Sequence, residues 1–164
     1  MSSEQSPVVD VDRLARDRDG NVVTEKQAWS ALWALLVGFF MILVDTSIVT
    51  TALPATIRAL NANLNHGVWI TSVYLLTYAV PLLITGRMGD RWGPRRMYLI
   101  GMLVFGVSSL ACGLSPTIEA LIAARAVQGI GAALMTPQSL SMITRLFPPE
   151  KRGAAMGLWG ATAG

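Results

Sequence analysis

Long runs of apolar residues, separated by short polar segments, predict an all-α membrane protein. A helix of about 20 apolar residues is long enough to cross a hydrocarbon core of about 30 Å. The runs predict four complete transmembrane helices and the incomplete start of a fifth, over about 28–60, 67–87, 96–114, 116–147 and 154–164. We therefore expect residues 28–164 to form part of a transmembrane helix bundle.

Residues 1–27 differ from the rest of the chain because they are polar and mixed in charge. A segment of this composition buries too little apolar surface to fold, so we expect a disordered tail. The segment also lacks the basic start and the apolar core of a signal peptide. At its end, Thr24 and Gln27 have the spacing of a capping box, which favours a helix start there.

Lysine and arginine are distributed unevenly among the polar segments. They are concentrated in the tail, in the link between the second and third helices, and after the fourth helix. Between the first and second helices there is only Arg58, and between the third and fourth there is none. Because basic residues stay on the cytoplasmic side, this pattern predicts a cytoplasmic N-terminus in a plasma or inner membrane.

The composition, 52% hydrophobic and 14% charged, is that of a membrane protein. The net charge of +3 does not indicate a nucleic-acid partner, because the bases follow the topology rather than one surface. The sequence contains no Walker loop, no nucleotide-binding glycine fingerprint and no cluster of metal ligands. We therefore expect no cofactor, no metal and no enzyme activity. Cys112 is interpreted as a packing residue and His66 as a solvated link residue.

Two ionisable residues interrupt the apolar runs, Asp45 in the first helix and Arg125 in the fourth. An ionisable group at mid-membrane costs about 2.5 to 3.5 kcal/mol on insertion scales, so such groups face the bundle interior and mark a function. The alternative is that each is a structural partner for a neighbouring helix. We expect both side chains to face the interior.

Polar and aromatic residues form stripes at helical spacing on the second and fourth helices. Such stripes suit a water-lined cavity, and aromatic faces attract lipophilic cations. Helix packing through hydroxyl groups explains the pattern equally well. The candidate substrate path consists of Tyr74, Thr77, Tyr78, Gln128 and Thr136.

The link between the second and third helices has the pattern Gly-x-x-x-Asp-Arg-x-Gly-x-Arg-Arg. Its glycines permit a bend, and its arginines hold the link in the cytoplasm. A simple positive-inside anchor is one interpretation.

This link resembles the loop 2-3 signature of the major facilitator superfamily of secondary transporters. The resemblance implies the other interpretation, a conformational latch, whose members would be Gly86, Asp90, Arg91, Gly93, Arg95 and Arg96. Residues 121–133 resemble the superfamily's helix 4 motif, and residues 147–153 match the loop 4-5 pattern of its antiporters. Residues 44–54 look like the helix 1 signature of the fourteen-helix drug:proton antiporter branch, the EmrB/QacA-like transporters. The chain departs from these patterns at Ser47, Thr50, Thr51 and Pro94.

The resemblance implies the N-terminal part of a multidrug exporter that works by proton antiport and alternating access. Asp45 would bind the proton and Arg125 would be its coupling partner, with Asp90 holding helix ends of the other half of the protein. The partners implied are protons, lipophilic and cationic small molecules, and the lipid bilayer. Substrate would bind near the bilayer midplane, between two halves that rock about it.

The length of 164 residues leaves three alternatives to this interpretation. The chain would be a truncated, non-transporting fragment, a regulatory partner of a complete antiporter, or a small homo-oligomeric exporter. An alternating-access cycle needs a second half, so missing C-terminal helices or self-association would have to complete the bundle. We expect Asp45, Arg125 and the hydroxyl groups of the second helix to face a cavity that lacks its other wall.

Overall fold

The computed structural model describes residues 24–163, which form five α-helices and no β-strand. The first four are long and apolar enough to cross a membrane, so the predicted all-α membrane fold is confirmed. The prediction of a disordered tail falls mainly on residues 1–23, outside the described part. The helices are α1 (Glu25–Ala59), α2 (Leu64–Trp92), α3 (Pro94–Gly113), α4 (Ile118–Leu146) and α5 (Pro149–Ala163).

Capping residues determine where the first two helices begin. The Gln27 side chain accepts a hydrogen bond from the Thr24 amide at 3.0 Å, so the predicted capping box is confirmed, and α1 begins at Glu25, three residues before the predicted span of 28–60. Asn63 Oδ1 accepts a hydrogen bond from the His66 amide at 3.1 Å. The α2 helix therefore begins at Leu64, three residues before the predicted span of 67–87. His66 therefore lies in the first turn of α2 and not in a link.

The fourth and fifth helices also begin at residues other than those predicted. Thr117 Oγ1 accepts from the Ala120 amide at 3.2 Å, so α4 starts at Ile118 rather than at 116. The α5 helix starts at Pro149 rather than at 154. Proline suits a first helical turn, because its fixed φ is helical and its missing amide would have no partner there.

The link between α2 and α3 is much shorter than the sequence predicts. The α2 helix continues to Trp92 and α3 begins at Pro94, so Gly93 alone separates the two helices. Gly93 has a φ of 94°, a left-handed conformation that glycine adopts without strain. Consequently Asp90 lies in the last turns of α2, and Arg95 in the first turn of α3.

The α4 helix occupies the centre of the bundle and packs along both α2 and α3, whereas α1 makes fewer contacts with the rest. Small residues permit the close approach. A Cβ atom at Gly131 would lie 2.7 Å from the backbone nitrogen of Phe105 in α3, and one at Gly129 would overlap Thr77 in α2. Helix contacts through glycine are typical of membrane bundles.

Candidate functional site

Asp45 of α1 meets Arg125 and Gln128 of α4 in a buried charged cluster. Arg125 Nη1 donates to Asp45 Oδ2 at 2.6 Å and to Gln128 Oε1 at 2.7 Å. Gln128 Nε2 donates to Asp45 Oδ1 at 2.7 Å. The three side chains thus close a ring of hydrogen bonds, with Arg125 2% exposed and Asp45 12% exposed.

The geometry of α4 explains how two members of the ring come together. Arg125 and Gln128 are three residues apart, so their side chains lie on the same face of the helix. Asp45 reaches that face from α1, 80 residues earlier in the chain. The structure therefore brings together the two ionisable residues that the sequence singles out, and it adds Gln128 as the group that bonds both.

Tyr74 of α2 provides a second, uncharged partner for Arg125. The Arg125 Cζ atom lies 4.2 Å from the centre of the Tyr74 ring, which is within the range of a cation–π interaction. The rings of Tyr74 and Tyr78 are parallel, with their centres 6.2 Å apart. Arg125 Nε is buried and has no hydrogen-bond partner within residues 24–163. Arg125 thus has an ionic partner in Asp45, a neutral partner in Gln128 and an aromatic partner in Tyr74, while its Nε atom bonds none of the described residues.

The expectation that the hydroxyl groups of α2 face an open, unfinished cavity is wrong for Tyr74 and Thr85, which are 5% and 3% exposed. The physical reason is that α2 packs directly along α4 and covers this face. Arg125, which is 2% exposed, is covered by α2 on the same side.

The other candidate substrate-path residues lie where α2 contacts α4. Tyr78 Oη donates to Thr136 Oγ1 at 3.3 Å, which links the two helices. The Thr77 hydroxyl group donates within its own helix, to Val73 O at 2.8 Å. This arrangement is the packing through hydroxyl groups that the sequence left open as an alternative.

A cavity of about 650 Å³ reaches Asp45 and Arg125 from the opposite side, between α1 and α3. Its wall is mainly apolar, and its uncharged polar members are Thr56, Ser109, Cys112 and Ser115. None of the five candidate substrate-path residues lines it. Sequence reasoning missed Cys112, whose Sγ donates to Gln128 Oε1 at 3.6 Å, because no local pattern indicates that contact.

A second ion pair lies at the end of the bundle that holds the Gly93 turn. Arg145 Nη2 donates to Asp90 Oδ1 at 3.0 Å, and both side chains are largely exposed. The sequence singled out Asp90 as a latch residue but not Arg145, which comes from α4. The other latch arginines are exposed around this pair, at positions Arg91, Arg95 and Arg96.

These features define a multi-pass membrane protein with a charged site inside its bundle. The sequence profile described as Major Facilitator Superfamily matches residues 35–164. The chain therefore belongs to that superfamily, as the resemblance of its motifs predicted.

Three relatives refine the comparison. An uncharacterized MFS-type transporter of Mycobacterium tuberculosis is 55% identical over 84% of this chain and 24% of its own length. The tetracenomycin C resistance and export protein of Streptomyces glaucescens is 41% identical over 83% of this chain and 25% of its own length. The probable multidrug resistance protein EmrY of Escherichia coli is 36% identical over 82% of this chain and 26% of its own length. The chain spans about a quarter of the length of these relatives.

Proposed function

We propose that the complete protein exports small molecules in exchange for protons, and that Asp45, Arg125 and Gln128 form its proton-coupling site. The observation that carries the proposal is the ring of hydrogen bonds around a buried acid–base pair in membrane-spanning helices. An ionisable pair in that environment marks a function by default. Relatives named for resistance and export support the direction of transport.

The ring suggests how a proton changes the bundle. While Asp45 is ionised, its charge holds α1 against Arg125 on α4. A proton on Asp45 removes that charge and most of the attraction, because a neutral acid gains far less from a guanidinium group. Arg125 cannot lose its own proton, so it then depends on Gln128 and on the Tyr74 ring. Since α1 packs less against the other helices than α2, α3 and α4 do, α1 is the membrane-spanning element that moves.

The proposed substrates are lipophilic, cationic small molecules. A cation and a proton would compete for the same carboxylate of Asp45, and this competition is the physical basis of exchange. The apolar wall of the cavity between α1 and α3 suits a lipophilic molecule. The path through Tyr74, Thr77, Tyr78, Gln128 and Thr136 remains part of the proposal, and it requires α2 to separate from α4.

The pair Asp90–Arg145 is proposed as part of a conformational latch at the cytoplasmic end of a plasma- or inner-membrane protein. Being exposed, the pair is weak and easily broken, which suits a contact that forms and opens in each cycle. Gly86 and Gly93 flank Asp90 along the chain, and the exposed bases Arg91, Arg95 and Arg96 are available to helices beyond the described part. The N-terminus is then cytoplasmic.

Replacing Asp45 tests the proposal in the complete transporter, reconstituted in vesicles with an imposed pH gradient. We expect Asp45→Asn to abolish proton-driven efflux while insertion into the membrane is retained, because asparagine cannot bind and release a proton. Asp45→Glu should retain part of the activity. Glu119→Gln is the matched control, since Glu119 is an exposed acid in the first turn of α4. Equal pH-driven efflux by Asp45→Asn and the parent would refute the assignment.

The small share of the relatives' length that this chain covers favours one alternative. Since the chain spans about a quarter of their length, the 164 residues by themselves would be a non-transporting fragment or a regulatory partner of a complete antiporter. Its contacts would then be with the remaining helices or with itself. Efflux from vesicles that contain only the 164-residue chain would instead favour a small homo-oligomeric exporter.

A further inference from the structure

Pro137 interrupts the hydrogen bonding of α4 at a half-buried position. Proline has no amide hydrogen, so the buried carbonyl group of Ala133, one turn earlier, loses the partner that it would have in an uninterrupted helix. A bare carbonyl group inside a membrane bundle is costly, and neighbouring side chains usually satisfy it. Here Thr85 Oγ1, from α2, donates to Ala133 O at 2.8 Å. The same hydroxyl group lies 3.0 Å from Leu82 O of its own helix, so the bond across to α4 is the shorter one.

A second hydrogen bond runs in the opposite direction at the same place. Gln138 Nε2, from α4, donates to the backbone oxygen of Thr85 at 2.7 Å. Gln138 is 1% exposed and Thr85 is 3% exposed. Gly89 makes the room, because a Cβ atom there would overlap the Gln138 side chain. We call this reciprocal arrangement of Thr85, Gly89, Ala133, Pro137 and Gln138 the α2–α4 clasp.

The clasp lies between the two ion pairs of α4. Pro137 comes twelve residues after Arg125 and eight residues before Arg145. At 1.5 Å per residue, these separations correspond to roughly 18 Å and 12 Å along the helix. Proline is a usual cause of a helix bend, so the orientation of one end of α4 relative to the other depends on what holds this point.

We propose that Thr85 and Gln138 are positioning residues that fix α4 at its proline and so hold Arg125 in register with Asp45. Thr85 replaces the hydrogen bond that Pro137 removes, and Gln138 anchors the following residue to α2. The segment before Pro137 carries Arg125, and the segment after it carries Arg145. The consequence for transport rests on the function proposed above, whereas the clasp and its effect on α4 do not.

A double-mutant cycle on the full 164-residue chain in lipid nanodiscs tests the clasp. Thr85→Val keeps the size of the side chain but removes the donor, and we expect it to lower the midpoint of thermal unfolding. In a Pro137→Ala background, the new amide of residue 137 supplies the missing hydrogen bond, so the same change should have a much smaller effect. Thr85→Ser should behave like the parent. Ser139→Ala is the control, because Ser139 is equally buried but its hydroxyl group bonds its own helix.

The single cysteine reports on the other end of α4. Cys112 is partly accessible from the cavity, and its Sγ donates to Gln128, one turn from Arg125, so a shift of that segment breaks this bond and exposes the thiol group further. We expect Thr85→Val and Gln138→Met to increase the rate of Cys112 alkylation several-fold, and Thr85→Ser and Ser139→Ala to leave it unchanged. If Thr85→Val does not accumulate, Gln138→Met gives the same test from the other helix.

Two results would overturn the inference. One is an equal loss of stability for Thr85→Val with and without Pro137, which would mean that the hydroxyl group does not serve the free carbonyl group. The other is an unchanged rate of Cys112 alkylation in both variants, which would mean that the clasp does not position the Arg125 segment. Neither measurement involves transport, so failure of the proton-coupling proposal leaves both interpretable. In the complete transporter, Thr85→Val should lower the maximal rate of efflux more than the affinity for substrate.

Discussion

Within residues 24–163, one ion pair joins α4 to α1 and another joins it to α2, and their surroundings differ sharply. Arg125 and Asp45 are 2% and 12% exposed, whereas Arg145 and Asp90 are 55% and 72% exposed. Gln128 bonds both members of the buried pair. Buried charges depend strongly on each other, while exposed charges are solvated and screened when they separate. The same pairing of an acid with an arginine is therefore strongly coupled in the buried site, where separation requires the loss of a charge, and weak in the exposed one, where solvent and salt compete with it.

The largest expected effect comes from breaking the buried pair on its acidic side. Asp45→Leu leaves Arg125 charged and without its ionic partner, so we expect a loss of about 3 to 5 kcal/mol in the free energy of unfolding. Arg125→Met should cost less, because Asp45 is the less deeply buried member of the pair, 12% exposed against 2%. The double variant should recover most of the loss. Unfolding of the four chains in nanodiscs measures this, and a loss below about 1 kcal/mol for Asp45→Leu would contradict the comparison.

An intermediate effect is expected at Tyr74, the aromatic partner of Arg125. Tyr74→Leu removes the ring and should lower the free energy of unfolding by about 0.5 to 2 kcal/mol, whereas Tyr74→Phe keeps the ring and should cost less. The difference between the two variants should increase when Asp45 is replaced by asparagine, because Arg125 then depends on the ring. A difference that is the same in both backgrounds would show that Tyr74 does not act as the alternative partner.

The smallest effect on stability is expected at the exposed pair. Asp90→Asn should change the free energy of unfolding by only about 0.2 to 1 kcal/mol, and the change should vanish in about 1 M salt. Arg145→Gln should give the same result, since it breaks the same pair. In the complete transporter, Asp90→Asn should slow the cycle or bias it inward while substrate binding stays nearly unchanged. A variant that binds substrate much more weakly but cycles normally would argue against the latch.

The sequence predicts the existence of the helices better than their ends. Four apolar runs were sufficient to identify four spans, because length and hydropathy are local properties. The ends depend on which of several neighbouring polar residues caps the helix, as Thr117 and Asn63 do. The Gly93 turn is another example. The charged residues around it predict a longer link, whereas one residue with positive φ is enough to join α2 to α3.

The sequence singles out Asp45, Arg125 and Gln128 individually, but it does not predict that they bond one another. Asp45 and Arg125 are conspicuous because charge is rare in membrane spans. Gln128 was placed on the substrate path, although it lies within the charged ring. The sequence does not indicate the contacts of Arg145, Cys112 and Gln138. These contacts connect separate helices, so no periodic pattern along the chain predicts them.

The distance along the chain between Asp45 and Arg125 has a consequence for synthesis of the protein. The two residues are 80 positions apart, and ribosomes add about 5 to 20 residues per second. The α1 helix therefore leaves the ribosome roughly 4 to 16 seconds before the part of α4 that holds its partner. During that interval the carboxyl group of Asp45 has no guanidinium group to bind. The ring of Asp45, Arg125 and Gln128 therefore cannot form until α4 has been made and has packed against α1.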